Sequence, residues 1–196
     1  MSADTSFVLA LAPVSRGLGV FVIDTTGRSI DWRVREIRGF HKNARAQAFA
    51  DELIDEFRPV ALVIEDHRAT GARRSHRISV LLDLIAELGA ERGLQVSRHG
   101  LKDVRVHLDL APRANKDDIA AAVAKRLPVL APRLPKRKRI WETEAHVMAI
   151  FTAAGLALTH LGCAPGAEDG APEACLPEPP SHPCEEGGED TQAGPA

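Results

Sequence analysis

The spacing of apolar and polar residues along this chain predicts an α/β domain. Two apolar runs, at residues 7–12 and 18–24, predict buried strands. The segment SIDWRVREI follows a Thr-Thr-Gly-Arg turn and alternates between apolar and polar residues, which predicts a third strand. Because short turns join these three segments, we expect them to form an antiparallel meander.

Helices and strands alternate in the rest of the chain. Short apolar runs predict two more strands, at residues 60–66 and 94–100. Apolar residues at helical spacing predict helices over residues 44–57, 78–92, 115–127 and 141–158, and Asn115 is a suitable N-cap for the third of these. The order β-β-β-α-β-α-β-α-α therefore predicts a mixed five-stranded sheet. Its antiparallel meander continues into parallel strands, and helices cover both faces.

Charge divides the chain into a basic body and an acidic tail. The formal net charge of the whole chain is −2, but eight acidic residues and no lysine or arginine follow residue 161. Residues 1–161 therefore carry a formal charge of +6, which favours a polyanionic partner. Residues 162–196 are rich in proline, glycine and acid and have few large apolar residues, so we expect a disordered tail.

All three cysteines belong to that tail, and their spacing matches no compact zinc motif. The body therefore has no disulfide scaffold. No apolar run approaches 18 residues and no signal-peptide pattern is present, so we expect a cytoplasmic protein without a membrane partner.

Several strand ends and helix starts carry a recognisable series of polar residues. The first strand ends in Ala12-Pro13-Val14-Ser15, followed by Arg16 and Gly19, and RPVALVIED ends a later strand in Glu65. Lys102 follows the last strand, Lys116 begins a helix, and the final helix reads ETEAHVMAIFTAA. The order, spacing and topology of these residues over residues 7–158 resemble the RuvC-type Holliday junction resolvases, a branch of the ribonuclease H-like superfamily.

The resemblance implies a metal-dependent endonuclease site. Such enzymes hydrolyse phosphodiesters with two divalent metal ions held by carboxylates, so an active site would use Mg²⁺ or Mn²⁺. Onto this sequence the resemblance carries Glu65 and His146 as metal ligands and catalytic residues, and Glu142, one helical turn before His146 on the same face, is a further candidate for both roles. The resemblance adds Lys102 as a further catalytic residue and aligns Thr143 with another ligand position. Simpler roles remain open for two of them, since Glu142 could complement the helix dipole and His146 could be a polar residue at the helix edge.

One position departs from the family pattern. The family's first strand ends in Asp-Pro-Gly-Ser. This chain has Ala12 in place of the aspartate, and alanine provides no ligand atom. We expect Ala12 to lie beside Leu18 in the hairpin, facing a cleft that it shares with Glu65. Asp24 is then about 20 Å away, and Asp66 points to the opposite sheet face. No neighbouring acid is expected to replace the missing aspartate.

Two basic stretches, HRATGARRSHR and RLPKRKR, are predicted to flank the cleft. They indicate binding to branched or structured DNA through phosphate contacts, with RNA as an alternative. Little base stacking is expected, since the chain has no tyrosine and two tryptophans. The candidate binding residues are Arg16, Arg68, Arg73, Arg74, Arg77, Lys102, Lys116, Lys136, Arg137, Lys138 and Arg139.

Three functional hypotheses follow from these observations. The protein is a nucleic-acid-binding relative with an inactive nuclease site, an active nuclease with an altered ligand set, or a protein-interaction module on the same fold. The loss of the aspartate at Ala12 favours the first. A homodimer remains open, because resolvases of this type cut symmetrically as dimers.

Overall fold

A computed structural model of the protein describes residues 6–135 and 147–163. All of them belong to one compact unit, Met1–Pro165. Most of the predicted acidic tail, the basic residues 136–139 and the candidate ligands Glu142, Thr143 and His146 lie outside the described residues. None of the helices in the described ranges is long and apolar enough to cross a membrane.

Five strands and five α-helices make up the described part of the chain. The strands are β1 (Phe7–Val14), β2 (Gly17–Asp24), β3 (Ser29–Glu36), β4 (Ala61–Glu65) and β5 (Gln95–His99). The helices are α1 (Lys42–Phe57), α2 (His76–Glu91), α3 (Leu101–His107), α4 (Lys116–Arg126) and α5 (Met148–Cys163), with a 3₁₀ turn at Pro128–Arg133.

The sheet has the strand order β3-β2-β1-β4-β5. β1 and β2, and likewise β2 and β3, are antiparallel, whereas β4 is parallel to both β1 and β5. This arrangement confirms the predicted meander and the predicted parallel strands. β1 and β2 are apolar on both faces because helices cover both sides of the sheet.

Alternate residues of the central strands supply two separate apolar cores. Ala10, Ala12 and Phe21 face the layer formed by α3, α4 and α5. Leu9, Leu11 and other residues of opposite phase face α1 and α2. A residue's position along its strand therefore decides which helical layer it contacts.

Helix α5 comes close to the sheet at Gly19. A Cβ atom added to Gly19 would lie 2.4 Å from the backbone oxygen of Ala149, so only glycine fits beneath the helix there. Gly19 pairs with Ala12 across the β1–β2 ladder. The contact thus seats α5 beside the end of β1.

The structure changes four details of the sequence interpretation. Ala12 pairs with Gly19 and not with Leu18, because β1 continues to Val14 and leaves only residues 15 and 16 in the turn. Helix α5 runs to Cys163, two residues into the segment predicted as tail. The short helix α3 and the 3₁₀ turn were not predicted. Within α3 only Val104 is fully buried, which is too little for a helical period.

We expect Gly19→Ala to destabilise the protein by about 1–3 kcal/mol, because the new methyl group overlaps the backbone of α5. Urea unfolding would measure the loss. Gly27→Asn is the matched control, since Gly27 has a φ of 89° but no atom within 4 Å of an added Cβ, and asparagine tolerates positive φ. Equal effects of the two substitutions would show that crowding by α5 is not the cause.

Candidate functional site

The carboxyl ends of β1 and β4 bring Ala12 and Glu65 side by side. Leu11 pairs with Ile64 in the parallel ladder, so the next residues of the two strands occupy neighbouring positions about 4.8 Å apart. Both share the phase of Ala10 and Val63, which face α5. Their side chains therefore lie on the same face of the sheet, as the sequence predicted.

Ala12 is part of the apolar core. It is 1% exposed and packs in the cluster beneath α5, so it does not line an open cleft as predicted. The Ala12 methyl group is apolar, so its burial has no desolvation cost. Gly19 beside it leaves room for helix α5 to approach the sheet. The end of β1 is closed by packing.

Glu65 is buried and paired with an arginine. It is 2% exposed, and the Nε of Arg74 donates a hydrogen bond of 2.7 Å to its Oε1 while Nη2 donates to Oε2. A buried carboxylate is stable only when its charge is compensated, and a two-pronged guanidinium contact does so with good geometry. The Glu65 carboxylate is thus held by a cation that belongs to the protein.

The loop of residues 66–75 carries Arg74 back over Glu65. Oδ1 of Asp66 accepts a hydrogen bond of 2.9 Å from the backbone N–H of Arg68. Gly71 follows with a φ of 84°. These local turns reverse the chain direction, so that the arginine nine residues after Glu65 reaches its carboxylate.

The start of this loop is fixed to the other face of the sheet through Asp83 of α2. Arg68, Arg98 and His67 all approach the Asp83 carboxylate, at 3.3, 3.2 and 3.4 Å. Burial raises the pKa of Asp83, but these three partners together hold it below its ordinary value. Arg68 therefore contacts the α2 layer and not the Glu65 face.

A cavity of about 450 Å³ adjoins Glu65. It is bounded by the 66–75 loop, the start of α3 and the start of α4. Five cationic and two acidic side chains line it, a formal excess of three positive charges: Arg73, Arg74, Lys102, Arg105 and Lys116 with Glu65 and Asp66. Four of the five cations are candidates from the sequence. The structure thus brings residues far apart in the chain around one basic cavity.

Arg105 was missed by the sequence interpretation. Its Nε donates a hydrogen bond of 2.9 Å to the carbonyl of Ala114, which holds the side chain at the cavity. It lies three residues after Lys102 on α3, a spacing that places both on one helix face. That signal was visible in the sequence, but it had meaning only once α3 was known to be a helix.

Arg77 and Arg16 lie at the β1–β2 turn. Nη2 of Arg77 donates to the carbonyl of Ser15 at 3.1 Å, and its Nη1 donates to Oδ1 of Asn43 at 3.1 Å. Arg16 is exposed on the same turn. Neither residue lines the cavity, so these two predicted contacts form a separate basic region.

His99 occupies the strand position next to Glu65. The two residues pair in the β4–β5 ladder, and the His99 ring lies 5.8 Å from that of His160 on α5. Burial lowers the pKa of His99, with a smaller opposing effect from Asp103. Burial, together with the charge of His99, also lowers the pKa of His160. Burial therefore disfavours the protonated form of both rings.

The donor atoms of the described residues do not fit a two-metal centre. Residues 6–135 and 147–163 contain no group of three His, Cys, Asp or Glu side chains placed to hold a metal ion. Glu65 is engaged by Arg74, and Ala12 has no donor atom. Asp24 accepts hydrogen bonds from Thr26 and Arg28 in a turn at the opposite end of β1, so its carboxylate is not close to Glu65.

Comparison with known proteins shows likeness at the level of structure. No protein-family model and no curated protein sequence matches this chain. The structure of Thermus thermophilus RuvC is similar with a TM-score of 0.59 and 22% identity, covering 79% of this chain and 92% of RuvC. T. thermophilus RuvC in complex with Holliday junction substrate gives a TM-score of 0.56 and 20% identity over the same shares.

A third similar structure is Ydc2, the yeast mitochondrial Holliday junction resolvase. Its TM-score is 0.53 at 12% identity, and the match covers 80% of this chain and 78% of Ydc2. These likenesses confirm the predicted fold. The chain has the mixed five-stranded sheet, with helices on both faces, of RuvC and the ribonuclease H-like proteins.

We expect Arg74→Ala to lower the free energy of unfolding by about 3–5 kcal/mol, because it leaves the buried Glu65 carboxylate without its cation. The double variant Arg74→Ala/Glu65→Leu is expected to recover most of that loss. Urea unfolding of wild type, both single variants and the double variant would give the coupling free energy of the pair. If Arg74→Ala costs the same with Glu65 and with Leu at position 65, the pair does not stabilise the fold.

Proposed function

We propose that this protein binds branched DNA and holds its backbone phosphates with its own cations, without cleaving them. The observation that supports this most directly is the two-pronged contact between Arg74 and the buried Glu65. It puts a guanidinium beside the carboxylate that, by resemblance, would hold a metal ion in a resolvase.

The ligand set argues against two-metal hydrolysis. Two divalent cations need several carboxylates converging from different strands. At the neighbouring ends of β1 and β4 the described residues offer two carboxylates, Glu65, which Arg74 neutralises, and Asp66, which accepts a hydrogen bond from the backbone N–H of Arg68. A Mg²⁺ or Mn²⁺ ion would have to displace a buried, geometrically matched guanidinium to reach Glu65. We therefore propose no metal cofactor.

The charge of the cavity suits a phosphate backbone. Its formal excess of three positive charges is spread over the 66–75 loop, α3 and α4, so cations approach a bound strand from three directions. Contacts of lysine and arginine to phosphates position a nucleic acid without reading its sequence. Branched DNA is the favoured ligand, since similar folds are those of Holliday junction resolvases.

Binding to a four-way junction should weaken steeply as salt rises, because neutralised phosphates release counterions. We expect Lys102→Ala to reduce the slope of log K against log salt by about one unit. Lys125→Ala is the matched control, since Lys125 is also an exposed helical lysine but lies at the far end of α4. Fluorescence anisotropy with junction, duplex DNA and structured RNA would measure this.

Two outcomes would count against the proposal. Affinity that ignores salt and Lys102 would exclude a phosphate-binding cavity. Tighter binding to structured RNA than to the junction would replace DNA by RNA as the partner.

Glu65→Gln separates the binding function from a nuclease. We expect the substitution to tighten junction binding several-fold, because it removes a negative charge from the cavity and releases Arg74 toward phosphate. We also expect wild-type affinity to be equal in EDTA and in Mn²⁺ at matched ionic strength, with the junction left intact. Gel analysis of the strands and anisotropy on the same samples would show both. Metal-dependent cleavage that disappears in Glu65→Gln would establish the active nuclease instead.

A further inference from the structure

Phe40 is the most exposed large apolar side chain in the described part of the chain. It is 90% exposed, in the segment that joins β3 to α1. Gly39 before it and His41 after it both have left-handed backbone conformations, with φ of 84° and 55°. A residue other than glycine adopts this conformation uncommonly, and such strain is found at functional positions more often than elsewhere.

The backbone around Phe40 is held in place. Nη1 of Arg45 donates a hydrogen bond of 2.7 Å to the carbonyl of Arg38. The N–H of Arg45 donates to the carbonyl of His41 at 3.1 Å, which starts helix α1. The aromatic ring is therefore presented to solvent by an ordered loop.

Basic residues flank Phe40 along the sequence. Residues 38–45 contain Arg38, Lys42 and Arg45 together with His41, and no acidic residue. Arg38 contacts Glu36 of β3 at 2.7 Å, at the edge of this loop. None of the other exposed large apolar residues in the described part of the chain lies in this loop. The loop therefore lacks the apolar patch that a protein partner would need.

The loop lies at the same end of the sheet as the cavity. Glu36, the last residue of β3, pairs with Gly17, which pairs with Val14 at the end of β1. β3 and β4 are three strand spacings apart, which is about 14 Å, or roughly four base steps along a nucleic acid strand. One bound strand can therefore span both places.

A direct link joins the first turns of α1 and α2, the helices that follow the two loops. Asn43, in the first turn of α1, exchanges hydrogen bonds with Arg77: its Nδ2 donates to the Arg77 carbonyl at 3.2 Å, and its Oδ1 accepts from Nη1 at 3.1 Å. Arg77 lies three residues after Arg74. The position of the Phe40 loop is thus fixed relative to the loop that lines the cavity.

We propose that Phe40 stacks on a base left unstacked at the branch point of the DNA whose phosphates occupy the cavity. This inference rests on the proposed function and goes beyond it, because it assigns base contact to a loop outside the cavity. Every base offers a π face, so an exposed aromatic ring among cations binds unstacked positions without reading their sequence. A fully stacked duplex offers no such face, so the contact distinguishes a branched DNA from a linear one.

The test uses a four-way junction that carries the fluorescent base aminopurine at its branch point. Stacking on Phe40 should change the aminopurine fluorescence of the wild-type complex. Phe40→Ala should remove that change and weaken junction binding about tenfold, with no effect on duplex binding. Phe40→Trp should retain both properties, and Phe40→Leu should lose them, because leucine is apolar but cannot stack.

Val60→Ala is the matched control. Val60 is another exposed apolar residue, 49% exposed, and it precedes β4 at the opposite end of the sheet. It should behave as wild type. Phe40 contacts no core, so melting temperatures of all variants should agree, and a variant that melts early would be replaced by Phe40→Gln.

The outcomes distinguish this inference from the proposed function. If the wild type shows no salt-dependent junction binding, both fail. If the wild type binds the junction and Phe40→Ala binds it equally, with the same aminopurine signal, only the stacking role is wrong. If Phe40→Leu matches Phe40→Trp, the contact is apolar and not stacking, which also overturns the inference.

Discussion

The close contact of helix α5 with the β1–β2 hairpin governs the rest of this structure. Gly19 leaves room for the backbone of α5, and Ala12 beside it completes a surface of small residues. Eleven of the 16 residues of α5 are buried, so the helix serves as the centre of the layer against which α3 and α4 pack. Gly155 on its outer side brings Val104 of α3 within 3.0 Å of where a Cβ would lie. The positions of Lys102, Arg105 and Lys116 follow from this packing.

That contact also explains why the end of β1 is closed by packing. An aspartate at position 12 would place a charge in a site that is 1% exposed and lined by apolar side chains, and an unpaired buried charge is costly. Glu65 at the end of β4 is equally buried, and the guanidinium of Arg74 pairs with its carboxylate. The two strand ends thus differ in how they avoid an uncompensated buried charge: β1 carries an uncharged methyl group at Ala12, and β4 carries a carboxylate that is paired with an arginine.

The sequence predicted the sheet well because its evidence was local. The apolar runs of β1, β2 and β4 and the alternation in β3 reflect burial that each strand experiences along its own length. The Asn115 cap was confirmed, since the Asn115 side chain accepts a hydrogen bond from the backbone N–H of Asp118 at 3.0 Å. Helix α3 escaped prediction because it is short and only Val104 is fully buried.

The site could be predicted only in part. Glu65, Arg73, Arg74, Lys102 and Lys116 were all candidates, and the cavity brings them together. Their roles could not be read from residue type, since Arg74 compensates a carboxylate whereas Arg68 and Arg77 bind elsewhere. The path of the 66–75 loop decides which arginine contacts Glu65. That path is set by the turns of the loop together, so it cannot be inferred from the residue type at any one position.

The double attachment of that loop divides it into two attached ends and a central span. His67 and Arg68 are anchored to Asp83 on one face of the sheet, and Arg74 is anchored to Glu65 on the other. The loop is therefore attached to the protein at both ends, and residues 69–73 form the span between the attachments. Gly71 lies in the middle of this span with a positive φ, and the span forms one wall of the cavity. Between the two attachments lie five residues, whereas the carboxylate and its cation belong to the attached part of the loop.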